Sequence, residues 1–174
     1  MKTLLDNLSS DLLQNQVFQT GFRFLTIVKG SHLPKMDSNV LIFIMSGTMK
    51  VFSGEKELAI IDERHIFFWD KENDHVCEML SDTQVILFAF GDLIVHDLLT
   101  FRPYASFQDK SALKGTGLRF AEPLNSFLQL LVLYLEMKLD DVSLYITKRQ
   151  ELFYILNSVY NEPELAILVS SFTE

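Results

Sequence analysis

The side chains in this chain that could do chemistry are few. His75 and Cys77 stand two residues apart in a segment of strand-forming residues, which puts both on one face of a strand. A histidine beside a thiol is the start of a nucleophilic or metal-binding site. A transition metal, however, needs three or four ligands, and no histidine and carboxylate are arranged to activate Cys77. Cys77 therefore reads as a small buried apolar residue. His75 reads first as a hydrogen-bonded histidine at a strand start, with a ligand contact as the alternative. In Lys114-Gly115-Thr116-Gly117 the lysine precedes the glycines, the reverse of a phosphate loop, so this segment is expected to be a turn. No Gly-x-Ser-x-Gly elbow occurs.

The elements that must position these residues are strands. Val40 to Met45 is an unbroken apolar run, and Ser46-Gly47 turns it into Thr48 to Phe52. Ser53-Gly54-Glu55-Lys56 supplies a hairpin into Glu57 to Ile61, and Asp62-Glu63-Arg64 makes the next turn. His65 to Trp69, His75 to Leu80 and Thr83 to Phe90 follow, with an earlier strand from Gly21 to Val28. Strands at this spacing, with no helix-length pattern between them, predict an all-β sandwich or barrel.

Within that run, Arg64, Asp70, Glu72 and His75 fall at the spacing of the second cupin motif, and Gly47 matches the glycine that ends the first. The segment thus resembles a cupin jelly roll, but only the histidine of the second motif is kept. Counting back from Gly47 sets Val40 where the metal-binding glutamate would stand, and Pro34 and Met36 where the two histidines would. His32 is out of register. The resemblance implies a scaffold without its metal, so no metal and no cofactor are expected.

The chain has 174 residues, 48% hydrophobic and 12% aromatic, enough for one domain with a sizeable core. Its leucine-bearing start lacks a cleavage site and no apolar run approaches bilayer length, so neither signal peptide nor membrane span is expected. With a single cysteine it reads as cytoplasmic. A net charge of −8 and a pI near 5.0, with Lys148-Arg149 as the compact basic step of the tail, argue against nucleic-acid binding by this segment itself.

After Phe90 the character turns helical. Pro123 suits a first turn, and Leu124, Phe127, Leu128, Leu131 and Leu135 form one apolar face, while Leu130, Val132, Leu133 and Tyr134 leave almost no polar face opposite. A second helix is expected over 142–160, carrying Val142, Ile146, Leu152, Phe153, Leu156 and Val159 inward and Lys148, Arg149 and Glu151 outward. Asn161 with Glu164 forms a capping box for a third helix entered through Pro163. Leu4, Leu5, Leu8 and Leu12 suggest a short helix before the barrel.

A degenerate cupin barrel, a long apolar helix, then Lys148-Arg149-Gln150-Glu151-Leu152-Phe153-Tyr154-Ile155-Leu156 and Tyr160-Asn161-Glu162-Pro163-Glu164-Leu165-Ala166 together resemble the amino-terminal half of AraC-family transcription regulators. The fold class expected is mainly β with α: a degenerate cupin (jelly-roll) β-barrel over 1–108, and a helical dimerisation segment over 109–174 leading to a helix-turn-helix DNA-binding part beyond this chain. The resemblance implies a regulatory, effector-sensing domain and not an enzyme. The alternatives are a free-standing cupin isomerase or dioxygenase and a purely structural dimerisation domain. If His75 keeps the inward direction of its cupin counterpart, then His75, Cys77 and Met79 point into the barrel with Ile42, Ile44, Val85 and Leu87, and Trp69 closes one end. Such a lining suits a small apolar or weakly acidic effector. The homodimer is expected to form through Phe127, Leu130, Leu131, Leu133 and Tyr134.

Overall fold

A computed structural model of the chain describes residues 21–71, 74–90, 117–161, 163–165 and 168. The leucines at 4, 5, 8 and 12, Glu72, the turn from Lys114 to Thr116 and the boundary at 108/109 lie outside them.

Two antiparallel sheets face each other. Strands β1 (Phe22–Ile27), β7 (Thr83–Phe90), β2 (Asn39–Ser46), β5 (His65–Trp69) and β8 (Leu118–Arg119) make a five-stranded sheet in that order. The three-stranded sheet runs β4 (Lys56–Asp62), β3 (Thr48–Ser53), β6 (His75–Met79). This is the jelly-roll-like sandwich expected, followed by helices.

The unbroken apolar run of β2 is explained by burial on both faces. Val40, Ile42 and Ile44 look into the sandwich with Phe67, Trp69, Val85 and Leu87. Leu41 and Phe43 look the other way, with Phe22, Ile66, Phe68, Ile86 and Phe88, into a second core shared with the helices. The smaller sheet alternates instead. Met49, Val51, Ala59, Ile61, Cys77 and Met79 are buried, while Lys50 and Glu57 pair at 2.6 Å on its outer side. Gly47, between β2 and β3, has φ +89, and a Cβ there would sit 2.6 Å from the Asp82 carbonyl oxygen, so glycine is the residue that fits. Arg64, at the position of the first glycine of the second cupin motif, also adopts a left-handed backbone, with φ 62.

Helix α1 (Glu122–Glu136) starts at Ala121 with Pro123 in its first turn and the acidic Glu122 at the positive end of the dipole. Helix α2 (Val142–Val159) is capped by Asp141, whose carboxylate accepts from the Ser143 amide at 2.8 Å. The Tyr160 hydroxyl donates to the Arg119 carbonyl at 2.7 Å and accepts from the Ala121 amide at 3.1 Å, fastening the end of α2 to the chain entering α1. The capping box forms as expected: the Asn161 amide bonds Glu164 Oε2 at 2.8 Å, and the Glu164 amide bonds Asn161 Oδ1 at 2.9 Å.

The phase of α2 differs from the expectation. Tyr145, Leu152, Phe153 and Leu156 are buried, whereas Val142 and Ile146 are 54% and 42% exposed. Tyr145 sets that phase, because its ring is fully enclosed and its hydroxyl bonds the Leu139 carbonyl at 2.6 Å. Lys148 consequently does not face outward. Its Nζ pairs with Glu151 at 2.6 Å and sits 5.6 Å and 5.5 Å from the ring centroids of Phe127 and Tyr134 on α1. Arg149 and Glu151 are likewise only partly exposed.

Candidate functional site

The interior of the sandwich gathers all eight residues nominated for ligand contact. Register fixes this: His75, Cys77 and Met79 alternate inward on β6, with Cys77 opposite Val51 and Met79 opposite Met49. On the larger sheet Ile42 lies between Leu87 and Phe67, and Ile44 between Val85 and His65. Ile42, Ile44, Cys77, Met79 and Val85 are 0% exposed, Trp69 1% and Leu87 3%. The middle of the sandwich is therefore close-packed side chain on side chain.

The segment after β1 holds the free edge of β6. The Leu33 amide donates to the Cys77 carbonyl at 2.9 Å, the Gly30 amide to the Met79 carbonyl at 2.8 Å, and the Met79 amide to Ser31 at 2.9 Å. His32 is exposed, whereas Leu33 is buried in the inner core and Met36 packs against it. Val40 and Met36, at positions where cupins carry metal ligands, thus supply hydrocarbon to the interior. Among the described residues no three His, Cys, Asp or Glu side chains come together as a metal-binding group.

Polar groups concentrate at one end, where β5 leaves one sheet and β6 enters the other. The Trp69 and His75 rings meet edge to face at 6.4 Å. Burial lowers the His75 pKa from its ordinary value, and the nearby carboxylates of Asp70 and Asp74 oppose that shift without reversing it. Burial also pushes the Cys77 thiol up to about 12, so it is a thiol and not a thiolate nucleophile at neutral pH. Trp69 Nε1 is buried with no hydrogen-bond partner among the described residues.

Arg23 belongs to the same end and was missed by sequence reasoning. It pairs in register with Leu87, so its side chain leaves β1 on the inner face, and its Nη1 is buried with no hydrogen-bond partner among the described residues. Desolvation lowers its pKa from the ordinary value. A signal existed in the sequence: Arg23 heads the otherwise apolar stripe Arg23, Leu25, Ile27. The opposite stripe begins with Phe22 and Phe24, so alternation alone did not say which side was inside.

The nominated dimer residues divide. Phe127 and Leu131 are 4% and 0% exposed within the chain's own core, and Tyr134 is half-buried beneath Lys148. Phe127 and Leu131 are taken up by intrachain packing, and Tyr134 keeps part of its surface open. Leu130 and Leu133 remain 40% and 54% exposed, joined by Met137 at 69%.

The fold and site define a jelly-roll sandwich with a helical layer on one face and a polar end. No family model matches the chain, and no curated protein matches it. Among solved structures it is similar to the AraC-like transcriptional activator CuxR, at 11% identity and TM-score 0.49, over 79% of this chain and 51% of that one. It is also similar to the heme domain of CooA from Carboxydothermus hydrogenoformans, at 21% identity and TM-score 0.37, over 57% and 74% of the two chains. A cupin superfamily protein from Desulfitobacterium hafniense is similar at 7% identity and TM-score 0.34, over 40% and 66%. The chain spans about half the length of CuxR. Among the described residues no helix is long and apolar enough to cross a membrane.

Proposed function

We propose that this chain is a regulatory domain of the AraC kind, in which the sandwich senses a small molecule and the helices pair two copies, with DNA contacted by a part outside this chain. The observation that carries the reading is the apolar stripe of Leu130, Leu133 and Met137. It stays exposed on α1 although the opposite face of that helix is already buried against the sandwich. A stripe repeating every three to four residues matches a facing helix, and a second copy of the chain supplies one. The acidic net charge of −8 fits a module that leaves nucleic acid to another domain.

No enzymatic activity is proposed. The inner face consists of hydrocarbon apart from His75, Cys77 and the polar end, and Cys77 is held protonated. Elemental analysis after dialysis is expected to find no stoichiometric iron, zinc or manganese, and one tightly held equivalent would favour a cupin enzyme instead. The dimer is tested by light scattering at high micromolar concentration. The parent chain is expected at twice the monomer mass and Leu133→Asp at the monomer mass, and a monomeric parent overturns the reading. The close packing of Ile42, Ile44 and Val85 favours a second reading, a purely structural dimerisation domain, which differs in having no small-molecule effector.

A further inference from the structure

We propose that the polar end of the sandwich binds the carboxylate of a small organic acid with an apolar body, with Arg23 and Trp69 as hydrogen-bond donors. This deepens the sensing reading and rests on it.

Arg23 and Trp69 lie at the same end by register. Trp69 pairs with Val40, Val40 pairs with Ala89, and the Ala89 amide bonds the Gly21 carbonyl at 2.9 Å, so these four form the last row that crosses from β5 to β1, with only the Asn39–Phe90 pair beyond it. The row beside it is Phe67, Ile42, Leu87 and Arg23. Trp69 is the one large side chain of the row that crosses last, the others being Val40, Ala89 and Gly21. His75 faces Trp69 from the other sheet.

The chemistry of these groups selects the ligand. An indole N–H and a guanidinium donate and cannot accept, so they cannot satisfy each other. Each has a buried nitrogen without a hydrogen-bond partner among the described residues. Native proteins rarely leave such donors unmatched, and least of all on a cation. What answers both is an acceptor carrying negative charge, and a carboxylate offers two oxygens in the geometry a guanidinium fork takes. Around them Leu25, Leu87 and Ile42 offer contact to hydrocarbon only. A polyol would leave its own hydroxyls unpaired against that wall, so a monocarboxylic acid with an aliphatic or aromatic body is the matching class.

Trp69 is the chain's single tryptophan, so its fluorescence reads this site alone. The full chain is titrated with octanoate, benzoate and, as a neutral control, octan-1-ol, following emission and thermal melting, and the titrations are repeated on Arg23→Met and Arg23→Lys. Expected are saturable changes in Trp69 emission and a raised Tm with at least one carboxylate. Arg23→Met should weaken that binding about ten- to a hundredfold, with partial recovery in Arg23→Lys. If octan-1-ol binds as tightly as octanoate, or Arg23→Met binds the carboxylate as the parent does, the carboxylate proposal falls while a sensing domain stands. If no probe shifts either signal and Arg23→Met melts higher than the parent, Arg23 Nη1 is an unsatisfied donor against a filled interior, and both the proposal and the sensing reading fail.

Discussion

The rings of Phe22 and Tyr145 lie 6.4 Å apart, joining the first strand of the sandwich to the second helix. Phe22 also stacks on Phe88 at 4.7 Å, and Phe88 meets Phe153 of α2 at 5.7 Å. Its neighbour Arg23 leaves the same strand on the opposite face. Two adjacent residues of β1 thus face the helical layer and the sandwich interior respectively.

This aromatic junction is expected to be among the most sensitive points of the fold. Phe22→Ala should cost about 3 kcal/mol in a urea unfolding curve, from lost transfer energy plus the cavity left under Tyr145 and Phe88. A loss below about 1 kcal/mol would mean that the sandwich and helices are not joined there.

Arg64 holds a left-handed backbone with φ 62, a conformation that costs a non-glycine residue about 1 kcal/mol or more. Its compensation is an exposed ion pair with Glu122 at 3.1 Å, worth at most a few tenths of that. Arg64→Gly is accordingly expected to raise stability by about 0.5 kcal/mol after the entropy cost of glycine. Arg64→Ala, which keeps the strain and loses the pair, should gain nothing. Equal effects of the two substitutions would show that backbone strain is not the cause.

His75 makes stability depend on pH with a definite sign. Its pKa is lowered on folding from 6.5 by burial, so below that value the unfolded chain binds a proton that the folded chain resists. The contribution is complete above pH 6.5 and declines as pH falls through the lower folded pKa. His75→Gln should flatten the fall of the urea midpoint as pH drops below 6.5. An unchanged slope would place the titration elsewhere.

Cys77 should resist alkylation. With the thiol fully buried and its pKa pushed up to about 12, iodoacetamide at neutral pH is expected to label it only in denaturant. Rapid labelling of the folded chain would mean that the inner core opens readily, which would favour a ligand-accessible interior.

Much of the fold was legible before any coordinates. His65–Trp69 and Thr83–Phe90 appear with the bounds their β-branched and aromatic content and flanking turns implied. Gly47 marked its turn, and Asn161 and Glu164 exchange the bonds their spacing foretold. These are local matters: a strand run, a tight turn and a cap each depend on a few neighbouring residues, whose preferences are written in the chain.

Facing and phase were decided elsewhere. β1 is apolar on both sides, so only its pairing with β7 turns Arg23 inward and Phe22 toward the helices. On α2 the apolar residues at 142 and 146 obeyed helical spacing as well as Tyr145 did, but the enclosure of Tyr145 sets the rotation and leaves them in solvent. That rotation also brings Lys148 over the rings of Phe127 and Tyr134. Where apolar residues surround an element, sequence specifies the element but not its orientation, because each candidate face buries comparable hydrocarbon. Contacts between residues far apart in the chain then decide which face is inside.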